Sequence, residues 1–142
     1  MKPVDQTAFT PTDGNCFTAS LASLLEISLE DVPDLSGPVW DSWRKAIRTI
    51  NNWLSYQNLC YVEIDIDRRG RILPPKMPPV YCLLSGQSPR LKGCDHTVVG
   101  RGDGDNFEIV HDPHPSRAGL GGPVTCVGFI VPLDPASNRG PA

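Results

Sequence analysis

No run of apolar residues in this chain approaches the ~20 needed to cross a bilayer, so no membrane helix is expected. A basic run is also missing: 13 Lys+Arg stand against 16 Asp+Glu, for a formal charge of -3. Binding of nucleic acid by charge needs a dense positive stripe, and that class of partner is not expected. The opening MKPVDQTAFTP lacks the apolar core of a secretory signal, so the expected location is the cytoplasm. Paired cysteines are absent too. The five cysteines (Cys16, Cys60, Cys82, Cys94 and Cys126) are odd in number and scattered, with no C-x-x-C. That pattern argues against a disulfide framework and for reduced thiols. No internal repeat is visible, and 142 residues is the size of one domain. Residues 1–133 are read as that domain and 134–142 as a polar, mobile tail.

What is abundant is turn-forming residues, with 15 prolines and 13 glycines, so long loops between few regular elements are expected. Phe17, Leu21, Leu24 and Leu25 recur at helical spacing and predict a first helix from about Cys16 to Glu26. Ser28 with Asp31 three residues on has the form of a capping box, stopped soon afterwards by Pro33. A second helix is expected over Val39–Asn58, with Trp43, Ile47, Ile50 and Leu54 as its apolar stripe and Trp40 and Trp53 beside it. Beyond Cys60 the period changes to two. YVEIDID predicts a half-buried strand with Val62, Ile64 and Ile66 inward and the acidic residues outward. RRGRILPPKMPP reads as a loop, and VYCLLSG, HTVVGR, NFEIVHD and VTCVGFIVP as further strands. Helices first and an antiparallel sheet afterwards give an α+β domain.

Cys16 follows the turn Asp13-Gly14-Asn15 and opens a helix. There, unpaired backbone N–H groups and the helix dipole favour the thiolate, the nucleophilic form of cysteine. The competing reading is a buried core cysteine. Partners for a nucleophile come from the strands. If Asp103-Gly104-Asp105 forms a three-residue hairpin loop with Gly102 facing Asn106, antiparallel counting sets His96 opposite Asp112 on one face. A four-residue loop would instead put His111 opposite His96 and send Asp112 to the other face. The first register supplies an imidazole to move the thiol proton and a carboxylate to orient that imidazole. Cys94, His96, His111 and His114 are a possible zinc set by residue type, but their spacing matches no strong ligand motif, and no metal or other cofactor is expected. His114 reads as a loop residue at the cleft rim, and Cys60, Cys82 and Cys126 as small core residues. The loop SGQSPRLKG is expected to border the cleft, where Arg90 or Lys92 can meet an acidic substrate group.

DGNCFTASLASLL, then HTVVGR, then VHDPHPS resembles the papain-like cysteine peptidase superfamily, most of all the peptidases that clip double-glycine leaders from bacteriocins. DGNC before an aromatic is also similar to ovarian-tumour-type deubiquitinases, although Thr97 follows the late histidine where those carry an aromatic. GNCFTASLASLLEISLEDVP with SGQSPR and VHDPHPS resembles small proteins of phages and prophages, along most of the chain. The superfamily likeness implies a papain-like fold with helices packed on an antiparallel sheet. It also implies a thiol hydrolase of amide or isopeptide bonds, acting on a protein or peptide through Cys16, His96 and Asp112. Papain-like enzymes place a glutamine about six residues before the cysteine as an oxyanion donor. Here that position is Thr10, and the nearest glutamine, Gln6, lies ten before. Gln6 is therefore the candidate donor, with Asn15 or the backbone N–H of Cys16 as the second. The same constellation also occurs in inactive binders. The alternative is accordingly a protein that uses the cleft to capture a host protein or small molecule.

Overall fold

The computed structural model describes residues 1–36, 42–66 and 77–138. Two helices, α1 (Cys16–Leu25) and α2 (Trp43–Ser55), precede five strands: β1 (Leu59–Asp65), β2 (Val80–Gln87), β3 (Asp95–Gly102), β4 (Phe107–His111) and β5 (Val124–Pro132). The strands form one antiparallel sheet in the order β1-β5-β2-β3-β4, so the chain is α+β. Among the described residues no helix is long and apolar enough to cross a membrane.

The start of α1 at Cys16 agrees with the turn-then-leucine pattern, and the helix ends where Glu26 adopts a left-handed conformation. The second helix is shorter than its periodicity suggested. Ser42 caps it, its hydroxyl accepting from the Lys45 N–H at 3.3 Å, and Trp43 is its first helical residue. Its buried stripe is Ala46, Ile50 and Leu54, while Trp43 stands 38% exposed at the margin. Residues 37–41, with Val39 and Trp40, and residues 67–76 of the proline-rich loop lie outside the described residues. The SLEDVP signal makes one 3-10 turn, Leu29–Asp31, in which the Ser28 hydroxyl donates to the Asp31 carboxylate at 2.7 Å instead of accepting from the backbone.

Both faces of the sheet are covered. Phe17, Leu21, Ile50 and Leu54 pack with Tyr61, Leu83 and Val99 beneath the helices. Cys82, Leu84, Val98 and Val127 make a smaller core on the other side with Ile64, Phe107 and Leu120. This corrects the reading of β1. Tyr61, Glu63 and Asp65 take the helix side, with Tyr61 buried, whereas Ile64 packs in the smaller core on the other face and Val62 is exposed. Tyr61 also lies flat over Gly128 of β5, where a Cβ would come within 2.1 Å of the phenol oxygen. The described part of the expected tail is tied down. Asn58 donates its side-chain amide to the Asp134 carbonyl, and Pro135–Asn138 forms a short 3-10 turn.

Candidate active site

Three pieces of chain meet at the first turn of α1. The first is a strap, residues 1–15. Its Lys2 and Val4 N–H groups donate to Ser23 of α1, and its Gln6 N–H donates to the Pro113 carbonyl at 3.0 Å. Asn15 sews this strap to the helix. Its Oδ1 accepts from the Thr7 and Ala8 N–H groups, each at 3.0 Å, and its Nδ2 donates to the Thr7 hydroxyl. The turn at Thr10–Gly14 closes with a 2.8 Å bond from the Gly14 N–H to the Thr10 carbonyl, and a Cβ on Gly14 would meet that same oxygen at 2.8 Å. Only glycine permits this approach, which sets Cys16 directly after the turn.

The second and third pieces are the start of β3 and the segment after β4. Here the expected hairpin register is corrected. Gly102 pairs with Phe107, not Asn106, so the loop has four residues. The ladder then shifts between Gly100↔Ile109 and Val99↔His111, leaving Val110 as an extra residue. Without that bulge, Asp112 would fall opposite Thr97 with its side chain on the wrong face. With it, Asp112 lies one step beyond the paired strand, in the parity of Val98 and His96. The loop and the bulge together shift the count by two residues, and a two-residue shift preserves the face.

His96 and Asp112 are joined by a 2.7 Å bond between Nε2 and Oδ1, with both residues buried. Asp112 also accepts from the His114 N–H at Oδ1 (2.9 Å) and from the Gly119 N–H at Oδ2 (2.7 Å). Gly119 aims its N–H this way from a φ of 70°, a conformation natural to glycine. Arg117 donates to the Asp112 carbonyl and makes a two-pronged ion pair with Asp5 (2.7 and 2.9 Å), which binds the strap to the carboxylate loop. Burial alone would raise the Asp112 carboxyl. The bonds from His96, His114 and Gly119 outweigh it and hold the group below the ordinary carboxylate range. An ionised carboxylate only accepts, so His96 carries its proton on Nε2 and keeps Nδ1 as the lone-pair nitrogen. Burial pushes the His96 imidazole below its ordinary value, the neighbouring carboxylate opposing, and the resting ring is neutral.

Cys16 and His96 line one cleft of about 710 Å³. The Cys16 thiol is pushed up by burial, against the opposing pull of the Thr97, Phe17 and Cys16 peptide N–H groups facing the sulfur. The helix-end effect anticipated from the sequence is present but outweighed, because the sulfur has lost its water. Gln6 is buried in the same cleft wall. Its Nε2 donates to the Ala8 carbonyl at 2.8 Å, leaving one N–H to spare, while its Oε1 has no partner. Asn15 is not a cleft residue. Its amide is spent on Thr7 and Ala8, so it holds the strap that carries Gln6 and does not point at a substrate.

The cleft contains residues the sequence did not mark. Trp43 lies edge-on to Phe17 at 5.0 Å and donates its indole N–H to Glu63 at 2.8 Å. Glu63, Asp65 and Asp95 crowd Cys126, which lines the cleft and not the core. Burial first and then those carboxylates push its thiol up to about 12. The alternation of YVEIDID was the available signal, since it placed two carboxylates on one face. His111 bonds the Val4 carbonyl at 3.0 Å and lies 3.4 Å from Asp5, away from His96. Among the described residues no group of three or more His, Cys, Asp or Glu is arranged to hold a metal, and all five cysteines are free. No family model, curated protein or solved structure matches the chain.

Proposed function

We propose that this protein is a thiol hydrolase with a papain-like arrangement, cleaving an amide or isopeptide bond in a protein or peptide. The observation that supports it is the buried 2.7 Å His96–Asp112 bond in the wall of the cleft that holds Cys16. As a substrate enters, the Cys16 thiol gives its proton to His96 Nδ1 and the sulfur attacks the carbonyl carbon. The imidazolium so formed is stabilised by Asp112. Negative charge on the carbonyl oxygen is met by the spare N–H of Gln6 and by peptide N–H groups at the start of α1. His96 then protonates the leaving amine as the C–N bond breaks, leaving a thioester on Cys16. Water, giving its proton to His96, releases the acid and restores the thiol. Because the resting thiol and imidazole are both held neutral, proton transfer belongs to the substrate-bound state. A phage origin and action in the host cytoplasm accord with the sequence resemblance.

A non-catalytic binder is the second reading, favoured by the upward push on the Cys16 thiol. Side-by-side assays of wild type and Cys16→Ala separate the two, with a peptide library for cleavage and host lysate for partner capture. Product formation lost in Cys16→Ala, with the fold intact by circular dichroism, supports the hydrolase. An alanine variant with full biological effect and unchanged capture sinks it.

A further inference from the structure

The cleft has a donor pole that the triad does not use. Ser116 N–H donates to His114 Nδ1 at 3.0 Å, and a backbone N–H can only donate, so Nδ1 is the lone-pair nitrogen and Nε2 carries the proton. The Ser116 hydroxyl, 2.8 Å from the same nitrogen, accepts in turn from Arg90 Nη1 at 2.9 Å. Phe9 braces the His114 ring edge-on at 5.2 Å. Arg90 and His114 both line the cleft with Cys16, and the His114 and His96 rings are 6.4 Å apart. The Arg90 charge reaches both imidazoles. The backbone under Arg90 is itself held, the Arg90 and Leu91 N–H groups donating to the buried Ser88 hydroxyl. Among the described residues no carboxylate pairs with Arg90, and the only hydrogen bond of its guanidinium is the one to Ser116. The cleft thus presents a guanidinium with donors to spare beside a histidine locked as an N–H donor.

We propose that Arg90 and His114, tied together by Ser116, form a subsite for a carboxylate group of the substrate. A guanidinium and an imidazole N–H each donate to a carboxylate oxygen, the guanidinium by a charge-assisted bond. Glu63, Asp65 and Asp95 line the same cleft as Cys126 and repel that group. An acidic substrate is therefore held with its carboxylate toward Arg90 and away from these acidic residues. Lys92, the other cation of this loop, does not line the cleft. The identity of the substrate group rests on the hydrolase reading, but the binding does not.

The test compares iodoacetate with iodoacetamide as alkylators of Cys16, read by peptide mapping because Cys94 and Cys126 share the cleft. In each case sulfur displaces iodide, so the rate ratio cancels general changes in thiol reactivity and reports recognition of the carboxylate. Arg90→Gln is expected to lower the iodoacetate-to-iodoacetamide ratio roughly tenfold. His114→Leu should lower it less, and His114→Gln, which keeps an N–H donor, should restore most of that loss. An unchanged ratio in Arg90→Gln overturns the subsite. A second readout is free of the thiol: acetate titrated into the Cys16→Ala protein, followed through the His114 imidazole resonances. A saturable shift given by acetate and not by acetamide, and lost in Cys16→Ala/Arg90→Gln, supports the proposal, and equal responses to the two probes overturn it. If folded wild type resists both alkylators at Cys16, the hydrolase reading falls and the acetate titration alone decides the subsite.

Discussion

The two helices lie over the same sheet but are built on opposite plans. In α1, every residue from Phe17 to Ser23 is buried, three hydroxyl residues among them. Each hydroxyl has a partner: Thr18 bonds the Asn15 carbonyl, Ser20 reaches the Thr97 carbonyl of β3 at 3.1 Å, and Ser23 bonds Ala19 and serves the strap. In α2 only Ala46, Ile50 and Leu54 are buried, and the opposite face meets water. A helix covered on all sides has no freedom to roll, so the residue at its first turn is held on every flank. A one-sided helix fixes only its inner stripe. The nucleophile candidate is borne by the first kind, and the second contributes only Trp43, at the margin of the cleft.

The largest expected consequence is chemical. Asp112→Asn should keep the cleft but lower turnover by ~10⁴-fold, as in a related triad, because the charge that stabilises the His96 imidazolium is lost. Steady-state kinetics on any substrate found for the wild type measures it, and near-normal turnover would detach Asp112 from the chemistry at the head of α1. Gln6→Ala comes next, with a loss of about 10²–10³-fold in kcat if its spare N–H meets the oxyanion. A change confined to KM would reduce Gln6 to a wall residue.

Stability offers a more direct comparison of the helices. Ser20→Ala in α1 removes a buried hydroxyl bond and leaves the Thr97 carbonyl short of a donor, an expected cost of about 1–3 kcal/mol. Thr49→Ala in α2 removes an exposed bond to the Lys45 carbonyl and should stay within about 0.5 kcal/mol. Urea unfolding of both variants checks the pair. Equal costs would mean that α1 is no more constrained than α2.

The smallest effect expected is on pH dependence. His96 titrates lower in the folded protein than its ordinary value, so the folded state binds fewer protons than the unfolded chain up to about pH 6.5. Stability therefore climbs with pH from the folded His96 value to that point. Asp112, also lowered, contributes fully above about pH 3.9, and its contribution fades as pH falls through its folded value. On the alkaline side Cys82 and Cys126, pushed up to about 12, keep protons that the unfolded chain gives up above about pH 8.5. Stability should then decline as pH rises through that window. Urea midpoints across pH would show a plateau between the two limbs. A profile flat below pH 6.5 would mean that His96 is not buried as described.

The sequence by itself determined the order of helices and strands and the start of α1 at Cys16. These follow from signals acting over a few residues: a turn before leucines at helical spacing, and period-two alternation along a hairpin. The shared face of His96 and Asp112 was expected from a three-residue loop and arises instead from a four-residue loop and a bulge at Val110, which together preserve the parity. What only the tertiary structure decided is everything that depends on distant groups meeting. The strap folded Gln6 into the cleft wall and turned Asn15 into its brace, through bonds to Ala8, Thr7 and Pro113 that no local pattern encodes. Glu63 and Asp65 left the solvent face for the cleft because helices cover the side of β1 on which Tyr61 lies. The Cys16 thiol was expected to be acidified by its helix end and is pushed up instead. A helix dipole can be read from the chain, whereas the loss of water around a sulfur is set by whatever packs above it.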